Sequence, residues 1–333
     1  MTFDSRFFTR EHIEKHRFNA PATLAEEAVY CLELVAELVQ TGLPFQFKGG
    51  NSLLLILPDP KRFSIDVDIA TDASREQIEQ CLDTIVGRFQ IFKRWEKRQH
   101  KTKPWLPIAS YYLYFNSAIN SGTETSIMLD VQLRRSPYKT EKKKIECGKL
   151  YESAALVELP LPSSIIGDKL LTLGPNTLGI PVGKGKEAQR LKHVFDVSRL
   201  LALQPPLSEI RESFFACLRH ENEIQERGRS AEEIIGDTIA FCRSVAPYDD
   251  MPADKGLSPI MSENVRGLPV FAEHLFDAGY SWKDLQRDLA RVALCIFAIK
   301  EKDISNEEFL TVLNPKNRLP KAAEYWEQIT AWK

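Results

Sequence analysis

The sequence predicts an α+β protein, a sheet carrying helices in its first half and a mainly helical second half. Apolar and polar residues alternate with period two along 63–70 and 126–133, as in strands with one buried face, and 110–115 reads as another strand. Helical spacing prevails from residue 163 onward, and Pro160-Leu161-Pro162 marks the change. The reading gives a sheet core over 1–160 and a helical domain over 161–333. Two domains suit 333 residues at roughly 150 residues each.

The elements follow in order. Leu24, Ala28, Leu32, Val35 and Val39 recur at helical spacing over 24–40, with Glu26, Glu27, Glu33 and Glu37 on the side expected to face water. Gly42-Leu43-Pro44 ends that helix, and 45–47 starts a strand running into Lys48-Gly49-Gly50. Residues 51–57 are apolar but too few for periodicity to separate helix from strand. In 63–70, Phe63, Ile65, Val67 and Ile69 share one face, and Ser64, Asp66 and Asp68 the other. Ser74 with Gln77 forms a variant capping box for a helix over 74–89. Strands are expected over 89–95, 110–115 and 126–133, the last turning Met128, Asp130 and Gln132 away from the core. Residues 139–144 read as a charge run and 156–159 as a short strand. Helices are expected over 163–173, 187–203, 207–219, 230–245, 268–277, 281–298, 305–312 and 320–331, with 246–268 a long surface loop.

Composition narrows the function classes. At 43% hydrophobic and 27% charged, the chain can bury a sizeable core without a disulfide or zinc staple. It has no run of 18 apolar residues and no apolar leader, so a cytoplasmic protein is expected. The six cysteines stand singly and read as reduced core residues. Lys and Arg number 22 against 19 Asp and Glu over 1–150, and 22 against 27 over 151–333. Neither half is a generic nucleic-acid coat. HExxH, GxSxG, protein-kinase and GxGxxG patterns are absent.

Asp66-Val67-Asp68 carries the chemistry. Residues i and i+2 of a strand point the same way, and two like charges held there repel unless a cation lies between them. Mg²⁺ takes such oxygen ligands together with substrate phosphates. Asp130, on the polar side of another strand, is the candidate third ligand; solvated carboxylates on an open sheet face are the plainer alternative. Gly49-Gly50 follows a strand and lets backbone N–H groups approach a ligand, with the Ser52 hydroxyl as a further phosphate donor. A nucleotide triphosphate held between backbone donors and metal is the reading of this assembly.

Lys48-Gly49-Gly50-Asn51-Ser52 with Arg62-Phe63-Ser64-Ile65-Asp66-Val67-Asp68 resembles the signature of polymerase β-like nucleotidyltransferases, and specifically of the AbiEii/AbiGii toxin family. Asp168-Lys169-Leu170 and Arg190-Leu191-Lys192-His193-Val194-Phe195-Asp196 extend the resemblance; His193 stands where the family pattern has an aspartate. The resemblance implies a polymerase β-like domain to which 161–203 contributes part of the active site. It implies catalytic roles for Asp66, Asp68, Asp130, Lys169, Lys192 and Asp196. Nucleotide contacts fall to Lys48, Gly49, Gly50, Ser52, Arg62, Ser64, Lys169 and Arg190. The metal, Mg²⁺ or Mn²⁺, falls to Asp66, Asp68 and Asp130. It further implies an NTP substrate, an RNA acceptor with tRNA ends foremost, and an antitoxin that need not form a stable complex.

The basic stretch 93–103, with Trp95 inside it and Trp105 beyond, is the expected RNA contact; a solvated loop tip is the alternative. Lys192 and Asp196, four residues apart, are expected to share a helix face and pair. Transfer to a protein or small-molecule acceptor, by nucleotidyl or phosphoryl chemistry, and a catalytically silent binding module stay open.

Overall fold

Seven strands form one mixed sheet in the order β3-β4-β5-β2-β1-β7-β6. They are β1 (Gln46–Lys48), β2 (Asp66–Ala70), β3 (Arg94–Lys97), β4 (Ile108–Asn116), β5 (Glu124–Gln132), β6 (Thr140–Cys147) and β7 (Tyr151–Pro160). At its centre β2 runs parallel to β5 and antiparallel to β1, which pairs in parallel with β7. The structure is a computed structural model describing residues 4–89, 91–98, 106–226, 228–277, 279–315 and 318–332. Four helices lie in the same part of the chain: α1 (Arg10–His16), α2 (Ala22–Gln40), α3 (Gly49–Ile56) and α4 (Arg75–Phe89). With the sheet they form one compact unit, Met1–Ser136 plus Thr140–Pro160.

The second unit, Pro137–Lys139 plus Leu161–Lys333, is helical. It holds α5 (Pro162–Leu171), α6 (Glu187–Leu201), α7 (Leu207–Gln225), α8 (Ala231–Arg243), α9 (Pro259–Ala272), α10 (Trp282–Lys300), α11 (Asn306–Leu313) and α12 (Ala322–Ala331). Its core is built around α10, whose residues from Asp288 to Ile299 are all buried. Ser230 and Ser281 start α8 and α10 with capping boxes, satisfying amides that would otherwise be orphaned. Among the described residues no helix is long and apolar enough to cross a membrane.

Helix α2 departs from its expected polarity. Ala28, Leu32 and Val35 are buried as predicted, each large side chain contributing about 1.5–3 kcal/mol. Yet Glu26, Glu33 and Glu37, expected in water, are buried too. Glu26 accepts from the Ser117 hydroxyl at 2.7 Å and from the Ala118 and Ile119 amides, fixing the β4–β5 turn; Glu33 accepts from the Tyr151 hydroxyl. Glu26 and Glu33 are tolerated in the core because each finds a donor, whereas Glu37 Oε2 has none.

Other boundaries moved for local reasons. The strand expected over 63–70 is regular only from Asp66, and Ile65, assigned to the buried face, is 44% exposed. The strand expected over 89–95 starts at Arg94, because α4 runs on to Phe89 and pairing with β4 begins at Arg94↔Tyr114. The charge run at 139–144 lies largely in β6, an edge strand whose exposed lysines guard its open side. The loop expected over 246–268 ends at Ser258, where Pro259 opens α9 from its first turn; the helix placed over 268–277 is the end of α9. Of the six cysteines, five are buried and Cys81 is half-buried.

Candidate active site

The sheet unit gathers its polar residues around β2. Asp66 and Asp68 lie on one face, alternating with the buried Val67 and Ile69. The parallel register places Asp130 of β5 beside Asp68 and Met128 beside Asp66. The Ser110 hydroxyl, from the next strand, donates to Asp130 Oδ1. A cavity of about 240 Å³ opens over Asp68 and Asp130, lined also by Lys48, Arg98, Ser110 and Gln132. Among the described residues, no three His, Cys, Asp or Glu side chains are grouped closely enough to hold one ion in this structure.

The glycine turn closes one side of this arrangement. Gly49 has φ +74°, a left-handed conformation that favours glycine, and begins α3. A Cβ on Gly49 would sit 1.9 Å from Asp68 Oδ2, and one on Gly50 would meet Ser64 Oγ at 2.9 Å and Arg62 Nη2 at 3.0 Å. Both glycines are therefore demanded by close approach. Lys48, the N-cap of α3, makes no side-chain cap bond to the first amides; its Nζ donates to Gln132 at 2.9 Å and Ser136 at 3.4 Å. A helix start without a side-chain cap leaves its first amides able to meet an anion.

Ser52 requires a correction. It is fully buried, and its hydroxyl donates to the Gly49 carbonyl at 2.8 Å, so it serves the helix backbone rather than a phosphate. Ser64 is the hydroxyl at the turn. Glu27, which the sequence reading left on the wet side, stands near Asp66; burial first, then Glu26 and Asp66, push its carboxyl above the usual range. Cys31 donates to the Ile65 carbonyl at 3.3 Å, and burial, then Asp66 and Glu27, push its thiol far up, leaving it unreactive.

In the helical unit, Lys169 of α5 and Asp196 of α6 form a buried ion pair at 3.0 Å. Lys192, expected to share a helix face with Asp196, lies one turn before it on α6, and α5 packing on α6 brings Lys169 to the same carboxylate. His193 Nδ1 lies 3.1 Å from the Thr172 hydroxyl, linking α6 to the end of α5. Arg190, expected at the nucleotide, is 1% exposed and committed to Glu263 at 2.9 Å and to the Ile180 carbonyl at 2.7 Å. Glu263 also accepts from the Gly183 amide at 2.6 Å, so this pair anchors the loop carrying Lys184 and Lys186. The nucleotide role assigned to Arg190 is replaced by this structural one.

The basic stretch is partly neutralised. Arg94 pairs with Glu124 at 2.6 Å and also with Glu96, Lys97 pairs with Glu79 at 2.9 Å, and Trp95 donates to Asp83 at 2.9 Å. Arg98 lines the cavity over Asp68 and Asp130. Residues 99–105, with Lys101, Lys103 and Trp105, lie outside the described residues.

Comparison with known proteins places this geometry. The AbiEii family, described as a nucleotidyl transferase toxin of type IV toxin–antitoxin systems, matches residues 33–271. Among solved structures, MenT4, a nucleotidyltransferase toxin of Mycobacterium tuberculosis, aligns over 98% of this chain and 99% of its own, at 15% identity and a TM-score of 0.54. That likeness establishes a shared fold. An antigenic nucleotidyltransferase-like protein of Paracoccidioides brasiliensis aligns over 62% of this chain and 95% of its own, at 15% identity and a TM-score of 0.38. Curated proteins give no match.

Proposed function

The chain belongs to the AbiEii family, a nucleotidyltransferase toxin of a type IV toxin–antitoxin system, and from that premise we propose that it transfers a nucleoside monophosphate from an NTP to an RNA hydroxyl, with tRNA as the leading acceptor. The observation that carries this reading is the placing of Asp68 beside Asp130, under a glycine turn that leaves no room for a side chain.

The donor set fits a divalent metal. Two carboxylates on neighbouring strands line one cavity, and a third, Asp66, shares their face. Oxygen-only donors of this kind suit Mg²⁺ or Mn²⁺; we assign Asp68 and Asp130 to it, with Asp66 as the third carboxylate that would have to close on the ion as it binds. Bound there, the metal offsets phosphate charge and lowers the pKa of the attacking hydroxyl.

The chain's own groups do the rest. The first amides of α3, at Gly49 and Gly50, hold the triphosphate, with Arg62 and Ser64 donating beside them. Lys48 adds positive charge at the same end of β1. Ser110 holds Asp130 Oδ1, which leaves Oδ2 to take the proton of the acceptor hydroxyl. That oxygen attacks the α-phosphorus in line, the bond to the β-phosphate oxygen breaks, and pyrophosphate leaves. From the family pattern we assign Lys169, Lys192 and Asp196 to charge stabilisation during transfer. The stretch 93–103 is the proposed RNA contact, and the antitoxin need not bind the toxin stably.

The test incubates the protein with total RNA, Mg²⁺ and each α-labelled NTP in turn, beside an Asp66→Asn/Asp68→Asn variant. We expect label in a band of tRNA size, reduced on the order of 10²–10³-fold in the variant. Full labelling by that variant refutes the assignment, and label found on protein instead moves the acceptor to a protein.

A further inference from the structure

Much of the charge expected at 93–98 is spent on Glu79, Glu96 and Glu124. A second basic surface, not visible as a run in the sequence, forms where the end of α1 meets the β6–β7 turn. Lys15, His16, Arg17, Phe18, Asn19 and Lys149 line a cavity of about 420 Å³, with Glu14 the one acid on its wall. Lys15, Phe18, Asn19 and Lys149 are exposed.

The backbone here is held in an uncommon form. Phe18 and Asn19 are consecutive non-glycine residues in the left-handed region, at φ 51° and 63°. A bulky residue is rarely found there without a structural or functional reason. The Phe18 ring lies against Gly148, where an added Cβ would be 3.0 Å from Cζ, and meets Phe63 edge-on at 6.1 Å. Through this contact the Phe18 ring is fixed against buried Phe63 while remaining on the surface of the cavity. Burial, then His12, Lys15 and Lys149, hold the His16 imidazole below its usual range, consistent with concentrated positive charge.

We propose that this cavity is a second docking site for the RNA acceptor, taking a phosphodiester of a single-stranded segment against Lys15, Arg17 and Lys149 with its base stacked on Phe18. Single-stranded RNA is recognised by this combination of cations tracking the backbone and an aromatic face beneath a base. The site rests on the reading of RNA as acceptor and adds to it a second place where the strand is held on the sheet unit.

The experiment measures binding of a fluorescent single-stranded RNA to the full chain by anisotropy, without NTP, across a salt series. Lys15→Glu/Lys149→Glu is expected to weaken binding at least tenfold and to reduce the slope of log Kd against log salt by about 1.4, at about 0.7 per lost phosphate contact. Phe18→Ala is expected to weaken binding roughly tenfold with the slope unchanged. Lys142→Glu/Lys302→Glu, which carries the same charge change at exposed positions elsewhere, is expected to bind like the parent. NTP binding without RNA, retained in every variant, shows that each is folded. Equal RNA binding by the Lys15/Lys149 variant and the control variant overturns the site, even where the parent labels RNA. RNA bound through these residues, with label found only on protein, supports the site and defeats the reading of RNA as acceptor.

Discussion

The two units treat their charged residues in opposite ways. In the sheet unit, Asp68, Asp130, Lys48 and Arg98 surround a cavity of about 240 Å³, with like charges side by side on β2 and β5. In the helical unit, Arg190 with Glu263 and Arg199 with Asp288 are closed ion pairs with at least one partner deeply buried. Charged groups lining an open cavity stay within reach of a ligand, whereas a closed pair in the core is bound up with its own counter-charge. Substitution should therefore separate the units: changes around the cavity cost activity, and changes in the closed pairs cost folding.

The largest expected effect lies in the helical unit. Arg190→Met leaves Glu263 buried and charged without its partner, and is expected to cost about 3–5 kcal/mol in urea unfolding. Arg190→Met/Glu263→Leu removes both charges and is expected to recover most of that loss, less the bond to the Gly183 amide. Nucleotide binding lost in Arg190→Met while stability stays intact would return Arg190 to the nucleotide and blur the contrast.

Next comes the glycine turn. Gly49 and Gly42 both have positive φ, at +74° and +80°, but a Cβ on Gly42 meets nothing within 4 Å, whereas one on Gly49 enters the Asp68 carboxylate. Gly42→Ala carries only the backbone penalty, about 1 kcal/mol, and should retain full transfer. Gly49→Ala carries the same penalty and also displaces Asp68; it is expected to lower transfer on the order of 10²-fold, read as kcat/KM for NTP. Equal activity in the two variants would show that strain, and not access to Asp68, dictates glycine at the turn.

These cases show what could be read in advance. The Asp66–Asp68 pair and the place of Asp130 on its strand were legible because a strand's period is two and needs no knowledge of partners. Which strand Asp130 would join, and in what register, was not. The Lys169–Asp196 pair lay beyond the sequence because it depends on α5 packing against α6, while intrahelical spacing offered Lys192 as the nearer partner. Of the two serines expected at the nucleotide, Ser52 is turned back onto its own helix because α3 begins at Gly49 itself. Strand β6 was hidden by its lysines, which suit an edge as well as a loop. Helix α9 was hidden by Pro259, compatible with a first turn, and by Pro269 inside it.

The sheet unit also holds a closed acidic cluster. Glu33 and Glu37 are buried one turn apart on α2, with the Tyr151 hydroxyl donating to Glu33. Burial first, then Glu33, push the Glu37 carboxyl up to about 8, against a lowering pull from Arg88. Burial raises Glu33 as well, opposed by its hydrogen bonds with Tyr151 and Glu37. These two gain their compatibility by holding a proton between them. The unfolded chain releases the Glu37 proton near pH 4.5 and the folded chain near pH 8, so the folded state binds more protons between those values. Stability is therefore full below pH 4.5 as far as this group is concerned, and falls as pH rises toward 8, at most by about 1.4 kcal/mol per pH unit. Glu37→Gln keeps the shape without the proton equilibrium and is expected to flatten the urea midpoint between pH 5 and 8. A parent protein whose midpoint is already flat there, matching Glu37→Gln, would mean that Glu37 is ionised in the fold and draws its compensation from Arg88.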